Sequence, residues 1–337
     1  MKLKTKEEIK DWLDKYNIKN YTINDNLTVD INGDINLANK SLKEIPFKFG
    51  SVSGYFNCSH NKLKGLEFSP NKIENGFYCS NNKLISLEFC PKEVNGDFYC
   101  GNNQLTSLKY CPKEIGDSFD CSFNELTDLE CCPNKVVNNF YCNNNKLTSL
   151  EHCPDKIGGG FDFSNNKLTS LEFGPKEVVG YFDCRGNKLT NLEFSPNKVN
   201  GDFYCGNNQL TSLKYCPQEI GGSFDCYGNK LTSLKFGPKK VGADCDCGNN
   251  KLTSLKYCPQ EIGGSFYCHN NDLNTLLFIP KQINTKIDLE NNPSLGNYQY
   301  IKLYNDLIEA SKFYKLEEDL RNKLSINNEE KINKIKI

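Results

Sequence analysis

Phe140-Tyr141-Cys142-Asn143-Asn144-Asn145-Lys146-Leu147-Thr148-Ser149-Leu150 decides the fold, because close copies of it return every 21 residues. The cysteine is the steadiest mark. Cys58, Cys79, Cys100, Cys121, Cys142, Cys184, Cys205, Cys226, Cys247 and Cys268 all lie on this 21-residue beat. Phe163 fills the one skipped beat, Leu37 precedes the series and Leu289 follows it, with no insertion or deletion between. A fixed period of this size predicts a solenoid of stacked units rather than a globular domain around one pocket.

The other columns follow from Cys142. Phe stands two residues before the beat, Asn three after it, Leu five and eight after it, Pro twelve after it and Val or Ile fifteen after it. Phe-x-Cys alternation puts both side chains on one face of a short strand. One strand per repeat predicts a parallel sheet of 12–13 short strands with irregular returns, a rod or arc of roughly 60 Å at the usual strand spacing. The Asn column sits at the bend, where its amide can serve buried backbone groups of adjacent rungs. Pro marks the return, since it cannot donate to a ladder. Gly96, Gly201 and Gly264, just before a strand, suit a tight corner.

The phrase Phe-x-Cys-x-x-Asn-x-Leu resembles the leucine-rich repeat, with Phe and Cys replacing two leucines. It is similar to the 21-residue repeats of leucine-rich repeat proteins of giant DNA viruses and phages, as at Asn145–Leu150 and Asn166–Leu171. The resemblance covers roughly residues 29–296 and implies a leucine-rich-repeat-like solenoid, poor in helix. It also implies a viral protein that engages a host protein. Such repeats serve many unrelated binding roles, so the fold alone names no function.

The ends are expected to carry helical caps, because a stack otherwise exposes core at its last rungs. Thr5-x-x-Glu8 reads as a capping box, and Ile9, Trp12, Leu13 and Tyr16 follow at helical spacing, predicting a helix over 5–17. Short strands are expected at 21–23 and 27–31 around Asn24-Asp25-Asn26. Residues 297–324 read as helix, and 328–337 as a basic tail. The predicted organisation is a cap over 1–28, the repeat region over 29–296, and a helical cap with basic tail over 297–337.

Forty-one basic and 42 acidic residues give a net charge of −1, which predicts no nucleic-acid footprint. The opening residues lack an apolar core and no run approaches a membrane span. Eighteen cysteines are then expected as reduced thiols in a cytoplasmic or virion setting. Ten lie on the beat, and Cys90, Cys111, Cys132, Cys153, Cys216 and Cys258 lie eleven residues after it. Exchange with Ser and Gly in that second column reads as small packing, not bonding. Zinc-type paired spacings are missing, and no metal or other cofactor is expected. His60, His152 and His269 stand in distant rungs and different columns, so no catalytic triad assembles and the chain reads as a non-enzyme.

The residue before each beat faces outward on its strand. The stripe reads Asn57, Tyr78, Tyr99, Asp120, Tyr141, Asp162, Asp183, Tyr204, Asp225, Asp246, Tyr267 and Asp288. Tyr combines large area with a polar tip at low entropy cost, which suits a protein-binding surface. Tyr55, Asp97, Tyr181 and Asp202 flank it on one side, Arg185, Tyr227, His269 and Glu290 on the other. The expected partner-binding set is Tyr78, Tyr99, Asp120, Tyr141, Asp162, Asp183, Arg185, Tyr204, Asp225, Tyr227, Asp246, Tyr267 and His269. The alternative role is a structural rod that self-assembles, with repeat number setting its length. Like-charge neighbours Asp162/Asp183 and Asp225/Asp246 predict raised carboxylate pKa values or a bound cation.

Three further columns remain. Thr106 through Thr253 are expected to cap turn backbone through their hydroxyls. Aromatics from Phe68 to Phe278, interrupted by Cys131 and His152, are expected to pack the side opposite the sheet. The residue before each aromatic is mostly Glu early (Glu67 to Glu193) and Lys late (Lys214, Lys235, Lys256), with Lys109 the exception. Block copying offers one origin, since 95–127 and 200–232 differ at five of 33 positions.

Overall fold

The computed structural model describes the backbone of residues 2–335 and the side chains through Glu317, with Asp319 and Leu320. Lys336, Ile337 and the side chains of the tail read at 328–337 lie outside the described residues. By internal contacts the chain divides into two compact units, Met1–Leu189 with Glu193–Pro196, and Thr190–Leu192 with Asn197–Ile337. Each is a stack of parallel rungs, a parallel β-solenoid with few helices.

In the first unit Ile35–Asn36, Phe56–Asn57, Phe77–Tyr78, Phe98–Tyr99, Phe119–Asp120, Phe140–Tyr141, Phe161–Asp162 and Phe182–Asp183 pair in parallel. In the second, Phe203–Tyr204, Phe224–Asp225, Cys245–Asp246, Phe266–Tyr267 and Ile287–Asp288 do the same. The 21-residue period sets the register, so each column meets itself: Phe119 lies opposite Phe98 and Phe140. Phe and Cys of the beat are buried, Phe119 and Cys121 completely. The rings stack from rung to rung, with centroids 5.7 Å apart for Phe98 and Phe119 and 5.3 Å for Phe119 and Phe140. At the skipped beat, Phe163 fits by turning onto Phe161 and Phe182, at 4.6 and 5.0 Å, while those two spread to 6.3 Å.

The Asn column does the work its amide allows. Asn124 Nδ2 is shared among the carbonyls of Cys100, Cys121 and Ser122 at 3.1–3.2 Å. Its Oδ1 accepts the N–H of Leu105 in the preceding rung at 3.0 Å. Asn61, Asn103, Asn145, Asn166 and Asn271 repeat the pattern.

The returns are more regular than expected. The Val/Ile column forms its own two-residue strands, stacked in parallel at Glu114–Ile115, Lys135–Val136, Lys156–Ile157 and Glu177–Val178. Glu219–Ile220, Lys240–Val241, Glu261–Ile262 and Gln282–Ile283 make the equivalent ladder in the second unit. Glycine is needed here for space and not for a special φ. A Cβ on Gly158 would lie 1.9 Å from the Val137 carbonyl oxygen of the rung before. Gly96 and Gly264, expected at tight corners, likewise have ordinary φ and face a neighbouring side-chain oxygen.

Both ends are closed. Helix α1, Lys6–Lys15, begins at the Thr5 N-cap with both capping-box bonds formed. It buries Ile9 and Leu13, and Trp12 packs edge-on against Phe47 at 5.1 Å. Phe47, Phe49 and Phe56 carry that contact into the ring stack. Tyr21–Ile23 and Val29–Ile31 pair antiparallel, the second strand starting two residues later than the expected 27–31. At the other end a 3₁₀ segment, Pro293–Tyr300, buries Leu295. The following residues supply the Lys302 carbonyl to the N–H of Ile287, occupying the last open rung. Helix α2, Tyr304–Ile335, then buries Leu307 and Ala310.

Candidate interaction surface

The Tyr/Asp column lies on the face of the Phe-x-Cys ladder away from the core, because strand side chains alternate. It is half-buried rather than freely exposed, and Asp183 is only 4% exposed. The cause is local. Each Asp folds back to accept the N–H two residues on: Asp120 from Ser122, Asp162 from Ser164, Asp183 from Arg185, Asp225 from Tyr227 and Asp246 from Gly248, all at 2.8–3.0 Å. These are Asx turns, and they shape the bend after the strand.

In the first unit Tyr78 and Tyr99 stack edge to face at 5.3 Å, and the Tyr78 hydroxyl donates to Asp97 Oδ2 at 3.0 Å. Burial pushes both phenols up, Tyr99 to about 12. Tyr141 and the flanking Tyr181 interact through their hydroxyls, and burial raises Tyr181. Asp120 and Asp162 are raised above the usual carboxylate range, first by burial, and Asp162 also by the Asp183 charge. Asp162 and Asp183 do lie opposite one another on neighbouring strands. The relief is internal: the Arg185 guanidinium forks onto Asp183, Nη2 to Oδ2 at 2.6 Å and Nε to Oδ1 at 3.0 Å.

In the second unit Asp225 pairs with Asp246 across strands, and burial raises Asp246 despite nearby His269. Tyr227 and His269 rings lie 5.9 Å apart. The buried His269 Nδ1 has no hydrogen-bond partner and is 3.9 Å from Asp288 Oδ2. Tyr204 opens this run of the column, and Lys286 Nζ stands 4.9 Å over the Tyr267 ring. Lys302 joins Asp288 and Glu290 at 3.5 and 2.7 Å. Lys286 and Lys302 were not part of the expected set. Lys286 shares the flanking column of Tyr55 and Asp97, a signal present in the register, whereas Lys302 lies beyond the last repeat. The flanking carboxylates are structural: Asp97 and Asp202 accept the N–H of Ser118 and Ser223 in the next rung.

Other columns differ from expectation. The residue after the threonine caps the turn, as where Ser107 Oγ accepts the Lys109 N–H at 3.1 Å and Asp128 Oδ1 the Glu130 N–H at 3.0 Å. The Thr127 hydroxyl goes to Asp128, and Thr106 is exposed. The aromatics opposite the sheet are not packed away. Phe68 is buried, but Phe89, Tyr110, Phe173, Phe194, Tyr215, Phe236, Tyr257 and Phe278 are about half exposed, between 48% and 58%. All eight have left-handed φ, between 66° and 74°.

All 18 cysteines are free thiols, buried except for Cys131 and Cys153, which are half-buried. Burial raises the thiols of Cys79, Cys100, Cys121 and Cys142 far above their ordinary value, and Cys90 to about 12. The Cys90 thiol donates to the Tyr110 carbonyl at 3.1 Å. Among the described residues no cluster of three His, Cys, Asp or Glu could hold a metal ion, and no helix is long and apolar enough to cross a membrane.

Stacked parallel rungs, an amide ladder at the bend and an outward side-chain column define a leucine-rich-repeat-like solenoid. A scan against protein-family models finds no match, and a search of curated proteins finds none. Among solved structures the chain is similar to YopM from Yersinia enterocolitica WA-314, at 16% identity, over 74% of this chain and 81% of that one, TM-score 0.36. It is similar to the functional domain of InlJ from Listeria monocytogenes, which includes a cysteine ladder, at 20% identity over 77% and 66%, TM-score 0.47. YopM of Yersinia pestis, a leucine-rich effector protein, gives 17% identity over 74% and 86%, TM-score 0.47.

Proposed function

We propose that the chain is a non-enzymatic scaffold that binds a protein partner through the Tyr/Asp column of the Phe-x-Cys ladder. The observation that carries this reading is the placement of carboxylates that the fold alone would avoid. Asp225 faces Asp246 across neighbouring strands, and Asp162 faces Asp183, a contact that the Arg185 guanidinium offsets within the chain. Like charges directly opposite destabilise a sheet. An Asn would form the same Asx turn without that repulsion. Tyr78 and Tyr99 add a stacked aromatic pair beside the Asp97 carboxylate. Carboxylates beside tyrosine faces suit Arg and Lys side chains of a partner, by ion pairing and cation–π contact.

Catalysis is not part of this reading, because the column's carboxylates are tied into turns and the ladder cysteines are buried in the core. The expected residue set, Tyr78 through His269, serves as the contact surface. Residues 29–296 carry it, and the segments 1–28 and 297–337 act as caps. The likeness of the repeat to proteins of giant DNA viruses and phages is our ground for seeking the partner in a host cytoplasm.

The test is a variant carrying Tyr99→Ala, Tyr141→Ala and Tyr204→Ala, checked for native circular dichroism. Affinity capture from host lysate beside the native protein should lose the specific partner. Identical recovery by both proteins would overturn the assignment.

A further inference from the structure

Two columns of charge run along the repeats, and they are organised differently. On the return strands the signs mix and pair within the chain: Lys135 with Glu114 at 3.9 Å, Lys156 with Glu177 at 2.6 Å, Lys240 with Glu261 at 2.8 Å. On the turn after the second leucine the signs are sorted by unit. The first unit carries Glu67, Glu88, Glu130, Glu151, Glu172 and Glu193, with Lys109 the exception, and the second carries Lys214, Lys235 and Lys256. Glu88, Glu172, Lys235 and Lys256 are exposed and, among the described residues, form no ion pair. Neighbouring rungs of one sign repel, so the sorted arrangement is unfavourable within the chain.

Copying accounts for Lys214 and Lys256, which lie in the identical stretches 210–224 and 252–266, and leaves Lys235 as the sign change. At the five-repeat offset that relates 95–127 to 200–232, Glu130 corresponds to Lys235.

Each of these charges precedes a residue of the half-exposed column. The turn is closed by the following N–H, as from Gly237 to the Leu234 carbonyl at 3.0 Å, with Phe236 at φ 70°. Glycine or asparagine meets that conformation with least strain. Aromatics stand there in eight repeats, with about half of each side chain in solvent. Strain and exposure both work against fold stability, which points to a contact outside the chain. In the second unit the lysines lie over the rings, Lys235 Nζ 4.9 Å from Phe236 and Lys256 Nζ 5.2 Å from Tyr257. Phe236, Tyr257 and Phe278 line an open groove of about 620 Å³.

We propose that these strips are a self-association surface, in which the Lys/aromatic strip of one copy seats on the Glu/aromatic strip of a second copy. Charge complementarity selects the occupant. Glu151, Glu172 and Glu193 stand on three consecutive rungs, and so do Lys214, Lys235 and Lys256. Both sets are built on the same 21-residue rung, so their spacings match at about 4.8 Å per rung. The rings beside them supply the apolar contact, and Lys235 and Lys256, over Phe236 and Tyr257, gain carboxylate partners.

Sedimentation velocity of the full chain across a concentration series tests this, at low and high ionic strength. The native protein should associate, and salt should weaken the association. Lys214→Glu, Lys235→Glu, Lys256→Glu in one variant, and Glu151→Lys, Glu172→Lys, Glu193→Lys in another, should each lower the association constant at least about tenfold. Mixing the two variants should restore association, because each then presents strips opposite to the other's. That rescue separates the proposal from misfolding of either variant. A native protein monomeric at every concentration in low salt would overturn it, as would native-like self-association of either variant alone or failure of the mixture to associate. Binding of poly-glutamate by a monomeric native protein would overturn it in favour of an acidic partner.

Discussion

At the scale of the residue, Asn124 shows why the period is so strict. One side-chain amide serves three carbonyls and one N–H from two rungs. Any insertion would shift it off all of them. Asn124→Ala leaves buried backbone groups unpaired, so urea unfolding should show a loss of about 3 kcal/mol, several times that of an exposed substitution such as Thr106→Ala. Asn103 and Asn145 were legible for this role from their position at the bend. The asparagine before each was not. Asn81, Asn102, Asn144 and Asn165 hold φ of 52–57°, and Gly186 and Gly228 take the same column. Exchange between Asn and Gly was the available sign of a left-handed position. The half-exposed aromatics were hidden for the opposite reason, since nothing in side-chain preference places Phe236 or Tyr257 at positive φ. Asp120 makes a prediction of its own. Burial holds its folded pKa above its ordinary value of 3.8. The native state therefore binds the proton more tightly, and the burial penalty is absent below the unfolded pKa and grows as pH rises through the folded one. Asp120→Asn keeps the Asx turn and removes the charge. It should raise stability at neutral pH, with the gain vanishing below about pH 4. Denaturant melts at several pH values check this, and a gain that grows on acidification would contradict it.

At the scale of the element, the strand is two residues long and would be worthless alone. Phe98–Tyr99 exists because Phe77–Tyr78 and Phe119–Asp120 lie on either side in the same register. Phe-x-Cys alternation made this ladder readable. The second ladder was not, because Lys135–Val136 or Glu177–Val178 offers one buried residue and no alternation. Repetition across rungs is its only signal. The like-charge pairs of the outward column were legible in the register, but the turns that hold its carboxylates were not anticipated. The short Asp-x-Ser spacing at Asp120 and Asp162 already held the Asx turn that half-buries them. The cysteine column is an element too, and it is a packing element. Its thiols are buried, and burial disfavours the thiolate at Cys79, Cys100 and Cys121. A maleimide reagent at mildly alkaline pH should label Cys131 in the native protein and the ladder cysteines only after unfolding, since the thiolate is the nucleophile. Mass spectrometry of the labelled peptides reads this out. Rapid native labelling of Cys100 or Cys142 would contradict the packing account.

At the scale of the whole molecule, stability is built from rungs that touch mainly their neighbours. Deleting one complete repeat, residues 122–142, should then leave cooperative unfolding intact. Deleting one residue fewer should disrupt it, because every later column would miss its register; thermal melts by circular dichroism distinguish the two. The caps act at this scale as well. Trp12 feeds the ring stack through Phe47, and Lys302 occupies the last rung, a closure invisible in the repeat itself. The sorting of Glu and Lys by unit is also a property of the whole chain, visible only when equivalent columns are compared. The central claim is that the Tyr/Asp column meets a partner. The most direct measurement places a photo-crosslinking amino acid at Tyr99, at Tyr267 and, as a control, at Thr148 on the turn. Irradiation in host lysate should join the same foreign protein to the Tyr99 and Tyr267 probes and leave the Thr148 probe free. Crosslinks from Thr148 alone, or equal yields from all three positions, would contradict the account.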